Sequence, residues 1–134
     1  MTKIVCAAFV QNQKVLLVRR AAHRKWYPNH WDLVGGHVDK GEQPDDAVVR
    51  ESVEEVGLRP TSFKMFKTIY EADDKKEQTP FHVYMVTGWT GKNAQLLGDE
   101  HSELGWFSLD KVEEMDIALD GYRSILRHLL LERP

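Results

Sequence analysis

The chain has 134 residues, of which 42% are hydrophobic and 29% charged, and a net charge of −3. That is the length of one domain with a sizeable core, and interspersed acids and bases exclude a broad basic face for a nucleic-acid polymer or a membrane surface. One cysteine, Cys6, excludes an internal disulfide, and no apolar run nears the ~18 residues of a membrane span. Residues 1–134 are expected to form a single domain, and the N-terminal residues lack a signal-peptide layout, which points to a cytoplasmic protein.

Residues 3–10 (KIVCAAFV) and 14–20 (KVLLVRR) are short, apolar and β-branched, with Gln11, Asn12 and Gln13 between them, so they read as two strands of a hairpin. Cys6 alternates within the first and reads as a buried thiol. Arg20 stands at the mouth of the second. The loop that follows, AAHRKWYPNHW, carries His23, Arg24, Lys25, Trp26, Tyr27, His30 and Trp31. Guanidinium groups suit phosphate and rings suit stacking on a base, so this rim fits a nucleotide. Residues 32–34 form a brief strand before Gly35 and Gly36, where the backbone can approach a ligand closely. His37, a loop histidine among oxygen-rich neighbours, reads as a hydrogen-bonding residue outside any metal set.

Pro44 opens a helix, Asp45 and Asp46 sit near its positive end, and Gly57 stops it. The i, i+3, i+4 spacing of Glu51, Glu54 and Glu55 puts all three within an arc of about 100°. Val49, Val53 and Val56 take the opposite side. Like charges so placed cost a few tenths of a kcal/mol per pair. Converging hard oxygens are what Mg²⁺ or Mn²⁺ requires; a solvated acidic helix face is the plain alternative.

Residues 62–71 and 81–89 read as further strands around the polar turn ADDKKEQTP, with the facing of Tyr84 and Trp89 left open. Residues 91–105 form a polar loop, Trp106 and Phe107 a short strand, and Ser108 caps a helix with Asp110, Glu113 and Glu114 in its early turns. Residues 121–133 close the chain as an amphipathic helix whose stripe is Ile125, Leu126, Leu129 and Leu130.

Gly36, Glu42 and the run Arg50-Glu51-Ser52-Val53-Glu54-Glu55-Val56-Gly57-Leu58 resemble the Nudix hydrolase signature, G, five residues, E, seven residues, R-E-U-x-E-E-x-G-U with U apolar. With each residue type at roughly 7% abundance, a chance match is on the order of one in a million. Ser52 departs from the pattern, where an aliphatic residue is usual, and Val34 stands where proline is. Within the family, VRRAA at residues 18–22 and AVVRE at 47–51 are most similar to the MutT-like nucleoside triphosphate pyrophosphohydrolases.

The resemblance implies an α/β fold, an α/β/α sandwich around a mixed sheet, and an enzyme dependent on Mg²⁺ or Mn²⁺. It implies that Glu51, Glu54 and Glu55 bind metal together with the Gly35 carbonyl, and that Gly36, Glu42, Arg50 and Gly57 shape the motif. Glu100 corresponds to an extra carboxylate that holds a second metal or acts as base, with Glu103 its rival. Arg20 corresponds to a substrate contact. Asp120, or else Asp116, lies where relatives read the base, and Tyr27 and Trp31 join the substrate-binding set. The expected reaction is hydrolysis of a nucleoside diphosphate-X compound, foremost a (d)NTP to its monophosphate and pyrophosphate, with Glu51, Glu54, Glu100 and Arg50 as the catalytic group. The partner is a nucleotide; association with a second copy stays open.

Other readings remain. A partial likeness to the coenzyme A element ends at Lys25, Asn29, Leu33 and Val34, and the ADP-ribose class carries proline where Asp73 stands. YPNHWD resembles isopentenyl diphosphate isomerase, which lacks an intact box. A nucleotide sensor would typically have lost the acids.

Overall fold

The computed structural model describes residues 3–72 and 78–131. Strand β1 (Ile4–Gln11) turns directly into β2 (Lys14–Arg20). The turn residues Asn12 and Gln13 take φ of 52° and 61°, the positive values a two-residue hairpin turn requires. The two strands pair only beside that turn, at Val10 with Val15 and Gln11 with Lys14, and then part. Beyond that point β1 gathers one group of strands: antiparallel β4 (Val34–His37) on one side, and on the other parallel β6 (Gln78–Thr90), itself flanked by antiparallel β5 (Arg59–Ala72). β2 gathers the other, β3 (Trp31–Asp32) and β7 (His101–Ser108). The sheet is therefore mixed, as expected.

Helices cover both faces. α1 (Pro44–Val56) packs on one, with Val5, Ala7 and Phe9 of β1 beneath it; α2 (Leu109–Glu114) and α3 (Gly121–Leu131) share the other with Cys6, Ala8 and Val10. A strand buried on both sides needs apolar residues at every position, which is why the first strand reads as an unbroken apolar run. α3 buries Ile125, Leu126, Leu129 and Leu130, the expected stripe, together with Tyr122. Each such side chain contributes about 1.5–3 kcal/mol on full burial.

Several local expectations change. The strand read across residues 32–34 is two strands broken at Leu33, one joining β2 and the other β1, so the glycine pair lies inside β4 rather than in a loop. β5 begins at Arg59, β6 at Gln78 and β7 at His101, all earlier than sequence pattern suggests, because cross-strand hydrogen bonds recruit polar residues that have no strand pattern of their own. On α1 the buried stripe is Ala47, Val48, Ser52, Glu55 and Val56, while Val49 and Val53 flank it half-buried. Ser108 precedes α2 at the cap position, but its side chain makes no capping hydrogen bond. Most of the turn ADDKKEQTP, with Asp73, and the expected end of the last helix at residues 132–133 lie outside the described residues. Tyr84 and Trp89 both face the core. Trp89 meets Phe9 edge-on at 5.2 Å and stacks on Trp106 at 5.8 Å.

Candidate active site

α1 is the scaffold of the site. Gly57 ends it at φ 74°, a left-handed conformation that glycine adopts without a Cβ clash, and its N–H closes on the Val53 carbonyl at 3.1 Å. Near the other end, the Tyr84 hydroxyl donates to Asp45 at 2.6 Å and ties the helix to the central strand β6. Arg50 then locks the motif loop to the helix. Its Nε and Nη2 grip Glu42 at 2.8 and 2.9 Å, Nη2 also donates to the His37 carbonyl at 2.9 Å, and Nη1 reaches Glu51 and Glu54 at 3.2 Å each. Glu42 in turn accepts from the Asp39 N–H at 3.0 Å. The guanidinium, with that N–H, holds Glu42 down at about 2, well below the usual carboxylate range.

Glu51, while still bonded to Arg50, and Glu55 line a cleft of about 680 Å³. Gly36 lies against the Glu51 carboxylate so closely that a Cβ there would strike it, which explains glycine at that position. Glu55 is buried and accepts from the Gly35 N–H at 3.5 Å. Burial first, then its hydrogen bond to Glu51 and the charges of Glu51 and Glu100, push its carboxyl well above the ordinary value. Glu51 and Glu55 sit in hydrogen-bonding reach of each other, Glu100 adds a third charge, and among the described residues no guanidinium or ammonium contacts Glu55. A buried acid so surrounded is stabilised by a cation brought from outside, and the oxygen donors suit Mg²⁺ or Mn²⁺. As they stand, no three acid or imidazole side chains among the described residues are grouped as a finished metal site.

Cationic and aromatic side chains line the same cleft. Arg20 donates from Nε to the Trp26 carbonyl at 2.7 Å and from Nη1 to Asp32 at 3.3 Å. Arg24 lies 3.5 Å from the Glu100 carboxylate. Trp26 is 65% exposed at the rim, with Lys25 Nζ 5.3 Å from its ring centre. The Tyr27 hydroxyl donates to Glu71, and burial together with that bond pushes its pKa up to about 12. On the floor, the Cys6 thiol and Tyr122 hydroxyl lie 3.3 Å apart. Burial raises the pKa of both groups, and Cys6 is free.

A Nudix domain model matches residues 1–129. The chain belongs to the Nudix family. It is 35% identical over 100 residues to the 8-oxo-dGTP diphosphatase of Escherichia coli, covering 74% of this chain and 73% of that one. It is 25% identical over 122 residues to the nucleoside triphosphatase NudI of Klebsiella pneumoniae, covering 85% and 86%. A crystal structure of a MutT Nudix hydrolase from Burkholderia pseudomallei superposes with a TM-score of 0.79 at 28% identity, over 93% of this chain and 95% of that one. The family match and these relatives make the protein a MutT-like Nudix hydrolase. No helix among its described residues is long and apolar enough to cross a membrane.

Within this Nudix hydrolase the structure sorts the candidate residues. Gly35, Glu51, Glu55, Glu100, Arg20 and Tyr27 come together around one cleft. Glu54 does not: its side chain is 58% exposed, held by Arg50, on the outer side of α1. Glu103 pairs with Arg19 at 2.8 Å away from the cleft. Trp31 packs edge-on against Phe107 at 5.0 Å in the core beneath α3. Asp120 faces solvent, 97% exposed, and pairs with Arg123 at 3.2 Å, while Asp116 offers its carbonyl to the Trp31 N–H at 2.8 Å. Neither aspartate lines the cleft; Ala118, Leu119 and Tyr122 do. Sequence reading passed over Asp32, Glu71, His101 and Tyr122 as site residues. The pairing of β2 with β3 and β7, the pairing of β5 with β6 and the seating of α3 bring them in.

Proposed function

We propose that residues 1–134 form a single catalytic unit that hydrolyses the phosphoanhydride of a nucleoside diphosphate-X compound, foremost a (d)NTP to (d)NMP and pyrophosphate, with Mg²⁺ or Mn²⁺. The observation that carries this reading is a single cleft that gathers three acids, Glu51, Glu55 and Glu100, with two guanidinium groups, Arg20 and Arg24, and the rings of Trp26 and Tyr27. Glu51, Glu55 and Glu100, with the Gly35 main chain, would hold the metal, and Glu54 would join them on leaving Arg50. Bound there, the ion supplies charge neutralisation for the phosphates and acidifies a coordinated water.

The protein's own groups do the rest. Arg20 and Arg24 attract the phosphate chain, and Trp26 offers an exposed ring on which a base can stack. Arg50 keeps the loop and helix in register so that Glu51 and Glu55 stay aimed inward. Glu100, more exposed than Glu55, is the better-placed acceptor for a proton from the attacking water. The relatives named for 8-oxo-dGTP and for nucleoside triphosphates support a nucleotide substrate.

The test is a panel of (d)NTPs, 8-oxo-dGTP, ADP-ribose, dinucleoside polyphosphates and coenzyme A, assayed with Mg²⁺ and Mn²⁺ and with products identified by chromatography. Monophosphate and pyrophosphate from a nucleoside triphosphate are expected. Turnover confined to ADP-ribose or coenzyme A would move the protein to another Nudix class, and metal-independent binding with no turnover would make it a sensor.

A further inference from the structure

We infer that His101 is a substrate-contacting residue, donating a hydrogen bond to the phosphate chain from its place in the cleft between Glu55 and Arg20. The inference rests on the phosphoanhydride reading above and adds a residue that the motif does not contain. His101 opens β7, and its side chain is 7% exposed. What exposure it has is to the cleft, which it lines between Glu100 and Arg20. Its Nδ1 lies 3.9 Å from Glu55, too far for a hydrogen bond. Among the described residues no hydrogen bond from the ring accompanies that contact, so the ring is left to face the cleft.

The backbone explains how the ring comes to lie there. β7 pairs with β2 in regular register from Ser108 opposite Lys14 to Glu103 opposite Arg19, and then slips, so that His101 rather than Ser102 stands opposite Arg20. Residues paired across strands share a face, and Val18 and Leu104 show that this face is the one covered by α1. The one-residue bulge thus turns His101 toward Glu55 and away from the place it would hold in an unbroken ladder. Imidazole keeps at least one N–H in every charge state it adopts here, so it can donate to a phosphate oxygen throughout. Mg²⁺ prefers oxygen ligands, which makes the phosphate, not the ion, the partner for this ring.

The experiment compares wild type with His101→Ala and His101→Gln. Calorimetry follows binding of inorganic pyrophosphate and of an α,β-methylene nucleoside triphosphate; electron paramagnetic resonance follows Mn²⁺ alone; thermal melts report folding. Expected is at least a fivefold weaker affinity for both phosphate probes and at least a tenfold lower kcat/KM in His101→Ala. Mn²⁺ affinity should stay within twofold and the melting temperature should hold, with partial recovery in His101→Gln, whose amide also donates. Unchanged phosphate affinity in His101→Ala overturns the inference while leaving the hydrolase reading intact. Parallel loss of Mn²⁺ affinity overturns it in favour of a metal-site role. If wild type binds neither phosphate probe, the phosphoanhydride reading itself falls.

Discussion

Two acids of the same cleft, Glu55 buried and Asp32 half-buried, have opposite surroundings. Asp32 meets the Arg20 guanidinium at 3.3 Å, the Leu33 N–H at 2.8 Å and the Tyr122 hydroxyl. Glu55 meets another carboxyl group, Glu51, with Glu100 nearby and, among the described residues, the Gly35 N–H to favour its charge. Burial raises both acids above the ordinary range, but at Asp32 the protein itself supplies the opposing charge. That difference separates a structural acid from one built for a ligand. A fold that leaves one acid without a cation beside two like charges bears a cost that a proton or a bound cation removes.

Exchanging each acid for its amide breaks the comparison most sharply. Glu55→Gln is expected to lower turnover by at least about a hundredfold, the scale of losing a catalytic electrostatic group, while melting no lower than wild type because like-charge repulsion is relieved. Asp32→Asn is expected to do the reverse to stability, costing about 3 kcal/mol in chemical denaturation by leaving Arg20 buried without its partner. A Glu55→Gln protein that melts well below wild type would make Glu55 structural and erase the distinction.

Metal addition comes next. At a hundred times its dissociation constant, Mg²⁺ or Mn²⁺ is expected to stabilise wild type by about 2.7 kcal/mol and to leave a Glu51→Gln, Glu55→Gln double variant unmoved. Equal shifts in both proteins, read by thermal melts, would place the ion elsewhere. Glu54→Gln tests the acid that stands outside the cleft: it should fold normally and lose turnover by roughly tenfold or more, the effect of removing one ligand or charge. Near-normal metal-dependent turnover would take Glu54 out of the mechanism.

The smallest effect concerns packing. Ser52 stands at the aliphatic position of the motif, fully buried, with a hydroxyl that has no hydrogen-bond partner. Ser52→Ala is therefore expected to stabilise the protein by about 1 kcal/mol in denaturant titration, with turnover unchanged. A destabilised variant would show that the hydroxyl is satisfied in solution.

What was legible in advance follows a physical division. The hairpin, α1 with its glycine stop and the apolar stripe of α3 are carried by neighbouring residues, through turn conformation, capping and periodicity. Spacing also placed Glu51 and Glu55 on a common side. It placed Glu54 there too, because angular position on a helix does not say where a side chain is drawn. In the fold Arg50 draws Glu54 outward while Gly36 makes room for Glu51 inward. Trp31 and Asp120 were expected at the substrate from their neighbourhood in the chain, yet one ring packs under α3 and the other carboxylate sits in water.

The order of residues alone determined the family, the mixed α/β architecture and which helix bears the acids, since a local signature and periodic burial are written within short stretches. Which acids share a cleft, which is neutralised by Arg20, and which ring the bulge in β7 turns toward them were decided by strand pairings. Those pairings join residues far apart in the chain, from Arg20 with His101 to Lys14 with Ser108. Contacts of that range depend on register, and a slip of one residue reverses every face after it.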